Sequence, residues 1–306
     1  MRVLVLGGSG FIGGAAVRRL RGRGAEVSTF HRGEGADVRG DRGELRRHRD
    51  AFARLEPDVV VDTIAYTERD AAGLVAAFRG VARRTVVLSS GDVYAPYGRL
   101  LRLESGKPDA RPFDEAAPLR TVLFPYRAKA AGAEDVAHDY EKILVERTAV
   151  ADPALPSTIL RLPCVYGPGD RHHRVGQVLR RLRSGGPFVL GRDKARWRWT
   201  RGFVENVAEA IALAAAESRA AGRVYNVGEE TALSESEWIR AIARAAGIAA
   251  DVREVEPGEL PPELAEPYDF AHDLVADTRR IRNELGYREI VDLDEGLRAS
   301  VAGESA

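Results

Sequence analysis

The sequence contains little cysteine, no excess of charge of either sign and no long apolar run. Cys164 is the only cysteine among the 306 residues, so neither an intrachain disulfide nor a cysteine-rich zinc site can form, and we predict no metal site. The 46 basic residues are balanced by 46 acidic residues, which argues against nucleic acid as a partner. No apolar run approaches the length of a membrane-spanning helix. The first predicted strand begins at residue 2 and leaves no room for a signal peptide, so we expect a soluble, cytoplasmic protein without membrane contact.

A glycine-rich turn stands near the amino terminus. Residues 3–6 form a short apolar run that ends at glycine, which predicts a strand buried on both faces, and helix-forming residues 15–20 follow the turn. This order is typical of dinucleotide binding, because glycine lets the backbone approach a pyrophosphate and the start of a helix favours its charge. The alternative is a glycine-rich turn of some other α/β protein. The predicted cofactor-binding residues of this turn are Gly7, Gly10, Phe11, Ile12 and Gly13.

The end of the second predicted strand, residues 27–30, indicates which cofactor is bound. An acidic side chain there would accept a hydrogen bond from the ribose 2′-hydroxyl of NAD, but His31 and Arg32 occupy the position. A guanidinium suits a 2′-phosphate, so we predict NADP, with NAD as the alternative. The alternative is that Arg32 simply faces solvent, as most arginines do. Farther along the chain, Asp41 is placed either against the adenine amino group or as a helix cap.

Candidate site residues follow two further predicted strands at their carboxyl ends, where open parallel sheets bind ligands. The strand that begins at residue 58 ends at Ile64 and Ala65, which we predict to lie along the ribose and pyrophosphate. The strand that begins at residue 85 leads to Ser90, Asp92 and Tyr94, which together form a candidate active site.

The alternation of apolar strands with amphipathic helices predicts an α/β fold. We expect a doubly wound parallel Rossmann sheet with a smaller C-terminal α/β substrate-binding region. The dinucleotide-binding domain is placed at residues 1–165, joined by segments that return near residues 203–228. Residues 166–306 are predicted to form mainly the substrate-binding region.

Five segments, in the order of a known family, make the chain resemble an extended or atypical short-chain dehydrogenase/reductase of the NAD-dependent epimerase/dehydratase type. They are residues 7–13, 88–94, 161–168, 226–228 and 277–287, and they span nearly the whole chain. The resemblance implies an NAD(P)-dependent enzyme whose small-molecule substrate is a nucleotide-activated sugar or a similar polyol. It implies hydride transfer at a carbinol carbon, and it suggests a homodimer formed through the helix that carries Lys142.

The resemblance assigns roles to three residues of the candidate active site. Ser90 matches the family's serine or threonine that hydrogen-bonds the substrate hydroxyl. Lys142 matches the lysine that holds the nicotinamide ribose. Asp92 falls where dehydratases of the family carry an acidic base, and an aspartate that only accepts backbone hydrogen bonds in the turn is an equal alternative.

The family's catalytic tyrosine, four residues before the lysine, is missing from this chain. His138 occupies that position in a helix predicted over residues 137–147, and Tyr140 would lie roughly 200° round the helix, off the catalytic face. His138 is a candidate acid/base at neutral pH, although a structural histidine is the more common case. Tyr126 and Tyr140 are further candidates if the helix starts irregularly, and the loss of ordinary reductase chemistry is the remaining alternative.

The remaining binding candidates are taken from the active-site strand and the region beyond residue 162. Tyr94 and Cys164 are assigned to the substrate, although Cys164 is also typical of a small buried side chain. Pro163 is assigned to the cofactor. Arg198 and Arg201 alternate with tryptophans, a pattern that can clamp a diphosphate and stack a base, or mark a dimer or lid contact.

The leading hypothesis is therefore an NADP-binding oxidoreductase, epimerase or dehydratase of nucleotide sugars with an atypical active site. One alternative is a non-catalytic NADP sensor or RNA-associated protein. Another is an NADPH-dependent carbonyl reductase of secondary metabolism. Stoichiometric consumption of NADPH would identify the reductase, because the sugar-nucleotide reactions return the cofactor unchanged.

Overall fold

The structure is a computed structural model that describes residues 1–109 and 112–304. In these residues, short apolar strands pair in parallel to form one large and two small sheets. The strands are β1 (Arg2–Leu6), β2 (Glu26–His31), β3 (Val38–Arg39), β4 (Val59–Asp62), β5 (Arg84–Ser90), β6 (Ser157–Leu162), β7 (Cys164–Tyr166), β8 (Phe188–Gly191), β9 (Arg201–Phe203), β10 (Val224–Asn226) and β11 (Val252–Val255).

The large sheet has the strand order β10-β6-β5-β4-β1-β2-β3. All of its pairs are parallel, and Leu6 at the end of β1 is in register with both Phe30 of β2 and Asp62 of β4. The chain moves outward from β1 to β2 and β3, then returns to place β4 on the other side of β1. A crevice therefore opens above the carboxyl ends of β1 and β4, at the position where doubly wound sheets bind ligands.

Helices cover both faces of the large sheet. They are α1 (Phe11–Gly22), α2 (Arg49–Leu55), α3 (Glu68–Phe78), α4 (Ala95–Leu100), α5 (Val136–Asp139), α6 (Lys142–Val150), α7 (Arg174–Arg183), α8 (Arg192–Arg196), α9 (Val204–Ala216), α10 (Glu235–Ala245), α11 (Arg279–Leu285) and α12 (Leu293–Gly303). The helices α1 and α9 pack together on one face, and α3 and α6 pack together on the other. None of the helices in the described part of the chain is both long and apolar enough to span a bilayer.

Two apolar cores result from this layering. In β1, Val3 and Val5 belong to the core that contains α1 and α9, whereas Leu4 and Leu6 belong to the core that contains α3 and α6. Successive side chains of a strand point to opposite faces, so a strand between two helical layers is apolar at every position. The predicted fold class, a doubly wound parallel sheet, is confirmed.

The C-terminal half adds smaller parallel pairs beside the large sheet. β7 pairs with β9, and β8 pairs with β11, while α7, α10 and α12 pack together near them. β10 pairs with β6, so the segment near residues 203–228 contributes a strand to the large sheet. The division into domains at residue 165 stays a prediction.

Candidate active site

The glycine-rich turn borders a groove of about 1010 Å³ above the large sheet. Gly7 has a φ of +83°, a conformation that glycine adopts readily. A Cβ atom on Gly13 would lie 2.1 Å from the carbonyl oxygen of Gly7, so only glycine allows the turn and α1 to pack this closely. Gly10 precedes α1 and provides no side-chain cap, which leaves the amides of the first helical turn available to an anion. These residues fit the pyrophosphate of a dinucleotide cofactor.

The structure distributes the predicted cofactor residues around this groove. Those that line it are Gly7, Gly10, His31, Arg32, Asp41 and Ile64. Phe11, Ile12 and Gly13 form the first turn of α1. Ala65 is fully buried, and Pro163 borders the neighbouring cavity instead of the groove.

Near the end of β2 the groove is lined by Arg32 and Asp41, which were predicted to contact the adenosine part of the cofactor. The side chain of Arg32 is 83% exposed, and its guanidinium lies 3.8 Å from the carboxylate of Asp41. Asp41 also accepts a hydrogen bond from the amide of Gly43 at 2.9 Å, so it caps the short helix that follows. A weakly held, exposed guanidinium at this place is free to reorient toward a phosphate.

Next to the groove, a cavity of about 540 Å³ contains hydroxyl groups clustered around the carboxylate of Asp92. We call this space the tyrosine cavity. The phenol of Tyr140 donates to Asp92 Oδ2 at 2.8 Å, and the phenol of Tyr126 lies 3.1 Å from the same oxygen. The hydroxyl of Ser90 accepts a hydrogen bond from the amide of Asp92 at 3.2 Å. Ser90, Asp92, Tyr126 and Tyr140 therefore belong to one site.

Burial disfavours negative charge anywhere in this cluster. It raises the pKa of Asp92, although the guanidinium of Arg120 opposes the shift. Burial and then the adjacent Asp92 carboxylate raise the pKa of Tyr140 well above its usual 10.0. The pKa of Tyr126 is raised for the same two reasons. Both phenols therefore keep their protons at neutral pH, and the raised pKa values make them weaker acids than an ordinary tyrosine.

The helix predicted over residues 137–147 is interrupted, and that prediction is wrong. α5 ends at Asp139 and α6 begins at Lys142. Between them Tyr140 and Glu141 have extended backbones, with ψ values of 117° and 99°. The helical spacing that put Tyr140 on the far side does not exist, and the phenol reaches Asp92 instead.

A buried ion pair holds the interruption in place. The side chains of Glu141 and Arg120 are both fully buried, and Arg120 Nη2 lies 3.0 Å from Glu141 Oε1. The Glu141 carboxylate also accepts hydrogen bonds from the amides of Phe124 at 2.6 Å and Ile143 at 2.9 Å, so it caps α6. Arg120 donates further to the carbonyl oxygen of Asp92. If Glu141 rejoined a continuous helix, the charge of Arg120 would be left buried without a partner.

Lys142 lies at the start of α6 and is 4% exposed. Its ammonium donates to the carbonyl oxygens of Ala65 at 2.5 Å and Leu88 at 2.9 Å. The ring centroid of Tyr140 is 5.8 Å from the ammonium nitrogen. Burial lowers the pKa of Lys142 to about 8, although Asp92 opposes the shift. The lysine thus ties β5 to the segment after β4, and its predicted contact with the nicotinamide ribose stays a prediction.

His138 is not part of the hydroxyl cluster. Its ring Nδ1 lies 2.7 Å from the carboxylate of Asp139, the next residue along α5. It lines neither the groove nor the tyrosine cavity. Because α5 ends before Lys142 begins α6, the four-residue helical spacing that suggested His138 as the acid/base has no structural basis.

Tyr94, a predicted substrate contact, is part of the core instead. It is fully buried, its hydroxyl donates to Asn226 Oδ1 at 2.6 Å, and it accepts a hydrogen bond from Arg161 at 2.9 Å. Burial raises the pKa of Tyr94 to about 12. Tyr94 follows β5 by four residues, and its ring packs against Phe113 in the interior, with centroids 4.3 Å apart.

A second cavity, of about 420 Å³, adjoins the tyrosine cavity and has largely aromatic walls. Its aromatic lining consists of Tyr97, Tyr166, Phe188, Trp197, Trp199, Trp238, Tyr268 and Phe270. Cys164 borders both cavities as a small buried side chain, and burial raises the pKa of its thiol. Arg201 borders the second cavity, but Glu235 holds its guanidinium at 2.5 Å. Arg198 borders neither cavity and donates to the carbonyl oxygen of Ala232. The two predicted diphosphate-binding arginines are therefore not brought together.

Four residues of the site were not found by sequence reasoning: Tyr66, Tyr97, Arg120 and Glu141. Tyr66 lines both the groove and the tyrosine cavity, and its ring stacks on Tyr140 with centroids 6.2 Å apart. It directly follows Ile64 and Ala65, so the rule that placed those residues at the cofactor also applied to it. No local pattern marks Arg120 and Glu141, because their roles depend on pairing across the fold.

Comparisons with known proteins agree with this architecture. A family model described as the NAD dependent epimerase/dehydratase family matches residues 3–228. The 3-diazoavenalumate denitrifying reductase of a Streptomyces species is 30% identical over 317 aligned residues, which cover 94% of this chain and 96% of that protein. The 2'-dehydrokanamycin reductase of Streptomyces kanamyceticus is 29% identical over 298 residues, which cover 92% of this chain and 75% of that protein. The NAD complex of the UDP-glucose 4-epimerase of Thermus thermophilus has a TM-score of 0.69 and 25% identity, covering 100% of this chain and 99% of that one.

Proposed function

The chain belongs to the NAD dependent epimerase/dehydratase family, and from this membership we propose that it is an NAD(P)H-dependent carbonyl reductase of a small molecule. The family predicted from the sequence is confirmed, as is an NAD(P)-dependent enzyme. The proposal concerns the direction of the reaction, the residue that supplies the proton and the kind of substrate.

The position of Tyr140, whose phenol donates to Asp92 at the tyrosine cavity, is the observation that carries the proposal. Epimerases and dehydratases of nucleotide sugars begin by removing a proton from a hydroxyl, so their base must start without a proton. Tyr140 lies 2.8 Å from the Asp92 carboxylate, and burial raises its pKa well above the usual value. A phenol at this place carries a proton at neutral pH, as an ordinary tyrosine does, and can give it to a carbonyl oxygen in the cavity, which is the reductive direction.

Each polar side chain of the tyrosine cavity has a separate task in this mechanism. When bound, NAD(P)H supplies the hydride. Tyr140 donates its phenolic proton to the oxygen of the carbonyl, and Ser90 hydrogen-bonds the same oxygen. Before the substrate binds, Asp92 receives the hydrogen bond of Tyr140 and orients the phenol. The phenol turns its one proton from Asp92 to the carbonyl oxygen once the substrate is in place. A positioned general acid of this kind contributes roughly 10²- to 10⁴-fold to the rate.

The walls of the two cavities support a substrate that is not a diphosphate. Eight aromatic side chains line the second cavity, and Arg201, its most buried arginine, is neutralised by Glu235. Two relatives that align with most of this chain are named as reductases, one of them of an aminoglycoside derivative. We infer a cyclic or aromatic carbonyl compound without a large anionic group.

Oxidation of NADPH, followed by absorbance at 340 nm, tests the proposal. The panel of acceptors contains cyclic ketones, aromatic ketones, quinones and aminoglycosides oxidised to the ketone. We expect stoichiometric NADPH oxidation with at least one class, and loss of that activity in Tyr140→Phe. The matched control is Tyr225→Phe, which also removes one tyrosine hydroxyl bond, to Glu284, but lies away from the site. Turnover that leaves NADPH unconsumed, or full activity of Tyr140→Phe, would refute the proposal.

The preferred cofactor is proposed to be NADP. The support is the exposed guanidinium of Arg32 and the absence of a carboxylate at the end of β2, where His31 stands. Isothermal titration of both dinucleotides is the direct test. We expect NADPH to bind more tightly than NADH, and equal affinities would contradict the preference.

A nucleotide sugar remains the second candidate substrate. Its support is the similarity, over the whole chain, to a UDP-glucose 4-epimerase, together with the cationic side chains of Arg174, Arg181 and Lys194 around the second cavity. UDP, GDP and dTDP should then each be tested for an increase in melting temperature. An increase with one of them, without NADPH consumption, would favour this candidate. The homodimer through α6 stays a prediction that light scattering can test.

A further inference from the structure

A chain of hydroxyl groups leads from Tyr140 to the second cavity. The phenol of Tyr140 lies 2.8 Å from Asp92 Oδ2, and that oxygen lies 3.1 Å from the phenol of Tyr126. The phenol of Tyr126 lies 2.9 Å from the phenol of Tyr97 on α4. Each step is a hydrogen-bond distance, so the four side chains form one continuous path.

Counting protons fixes the direction of the hydrogen bonds along this path. A phenol has one proton, and Asp92 as a carboxylate has none. If Tyr126 donates to Asp92, its oxygen can only accept from Tyr97. Tyr140 then donates to Asp92 from the other side. This arrangement satisfies both contacts of Tyr126 and leaves the hydroxyl oxygen of Tyr97 free to accept from water.

The two ends of the path lie in different surroundings. Tyr140 lies at the tyrosine cavity, beside the groove for the cofactor. Tyr97 lines both the tyrosine cavity and the second cavity, and it is only partly buried. The exposed Gln177 is also part of the second cavity's lining, so that cavity is open to solvent. Tyr140 needs its proton back between turnovers, so water reaches the outer end of the path when the product has left the second cavity.

The reaction proposed above creates a need for such a path. Tyr140 becomes a phenolate each time it gives its proton to the substrate, and it must be reprotonated before the next turnover. Lys142 is poorly placed to do this, because two of its three N–H donors are bonded to the carbonyl oxygens of Ala65 and Leu88 and its nitrogen lies 5.8 Å from the centroid of the Tyr140 ring. Asp92 is within hydrogen-bond distance of the Tyr140 oxygen and is itself connected to two further phenols.

We propose that Asp92, Tyr126 and Tyr97 form a proton relay that restores the proton of Tyr140 from water in the second cavity. This inference rests on the proposed reductase function. Tyr140 gives its proton to the oxygen of the substrate as the carbonyl carbon receives the hydride from NAD(P)H. Asp92, protonated by Tyr126, returns a proton to the Tyr140 phenolate. Tyr126 is reprotonated by Tyr97, and Tyr97 by water, so one proton enters for each alcohol formed.

Removal of the outermost hydroxyl tests the relay without touching the acid itself. Tyr97→Phe keeps the ring that packs edge-on against Tyr126, with centroids 6.5 Å apart, and removes only the link to water. We expect kcat to fall about five- to tenfold, as for the loss of one hydrogen bond, with an increased solvent deuterium isotope effect. Added imidazole should restore part of the rate. The affinity for NADPH should be unchanged.

The relay and the reductase can fail separately. If Tyr140→Phe abolishes turnover while Tyr97→Phe changes neither kcat nor the isotope effect, the relay is refuted and the reductase stands. If Tyr97→Phe changes KM and melting temperature alone, Tyr97 has only a structural role and the relay is again refuted. Tyr225→Phe serves as the matched control, with kcat and isotope effect expected to be unchanged.

A second readout needs neither cofactor nor substrate. The infrared carboxyl band of Asp92, assigned with Asp92→Asn, reports the hydrogen bonds at its oxygens in the cofactor-free protein. Because the path is continuous, Tyr97→Phe should shift this band as well as Tyr126→Phe, although Tyr97 does not touch Asp92. A band that is shifted by Tyr126→Phe but not by Tyr97→Phe would show that the path is broken between the two phenols, which refutes the relay even if no acceptor is turned over.

Discussion

Replacing Glu141 with alanine should remove the contacts that keep α5 and α6 apart, and it should lower the free energy of unfolding of the protein. The side chains of Glu141 and Arg120 are fully buried, so the substitution leaves a guanidinium inside the protein without its counter-charge. Breaking a buried pair in this way costs about 3 to 5 kcal/mol. The amides of Phe124 and Ile143 lose their acceptor as well, and the cap of α6 is lost.

A double variant separates the buried charge from the hydrogen bonds. In Arg120→Met/Glu141→Leu the buried ion pair is removed as a whole, so the loss consists of the hydrogen bonds of Glu141 to the two amides and of Arg120 to the carbonyl oxygens of Asp92 and Val122, at about 1 kcal/mol each. We therefore expect the double variant to be more stable than Glu141→Ala. Urea denaturation followed by circular dichroism gives both free energies of unfolding.

The same series reports on the position of Tyr140. Rejoining of α5 and α6 would move the phenol away from Asp92, which should reduce NADPH-dependent turnover while the groove continues to bind the cofactor. A loss of less than about 1 kcal/mol in Glu141→Ala would show that the ion pair does not hold the interruption, since even a single buried cap contributes that much. If Glu141→Ala were destabilised but fully active, the ion pair would stabilise the protein without being needed to position Tyr140.

Three further substitutions test other parts of the account. Asp92→Asn should raise the melting temperature at pH 8 but not below pH 3.8. The pKa of Asp92 in the folded protein is raised from 3.8, so the protonated carboxyl favours folding and this contribution is lost as the pH rises. A larger gain in melting temperature in acid would contradict this. Gly13→Ala should abolish cofactor binding in titration calorimetry and destabilise the fold by about 3 kcal/mol, because the new Cβ atom would lie 2.1 Å from the carbonyl oxygen of Gly7. A variant that binds NADPH normally would disprove the close packing of the turn. Arg32→Ala should weaken NADPH binding and leave NADH binding unchanged in the same assay, and an equal loss for both would mean that Arg32 does not contact the 2′-phosphate.

The fold could be predicted because its signals are local. The apolar strand at Val3–Leu6, the glycine turn and the following helix lie within about twenty residues, and each element has the composition its structure requires. Strand β1 is buried on both faces, so alternation is absent and the continuous apolar run is itself the signal. The residues at the strand ends, Ser90 and Asp92, were found by the same rule of sheet topology.

The proposed acid, Tyr140, could not be singled out with equal ease, because its position depends on distant residues. The segment that contains Tyr140 has a composition compatible with a continuous helix, which puts the phenol on the wrong side. In the structure, Arg120 pairs with Glu141 and tertiary contacts override local propensity. Tyr97 was missed for a related reason, since its role depends on contact with Tyr126, which is 29 residues away.

Single-turnover hydride transfer, observed by stopped flow at 340 nm in Tyr140→Phe and His138→Ala, tests most directly whether Tyr140 performs the task of the missing tyrosine. The position of the phenol beside Asp92 predicts a loss of about 10²-fold or more in Tyr140→Phe and an unchanged rate in His138→Ala. The opposite pattern, with His138→Ala inactive and Tyr140→Phe unimpaired, would contradict the assignment.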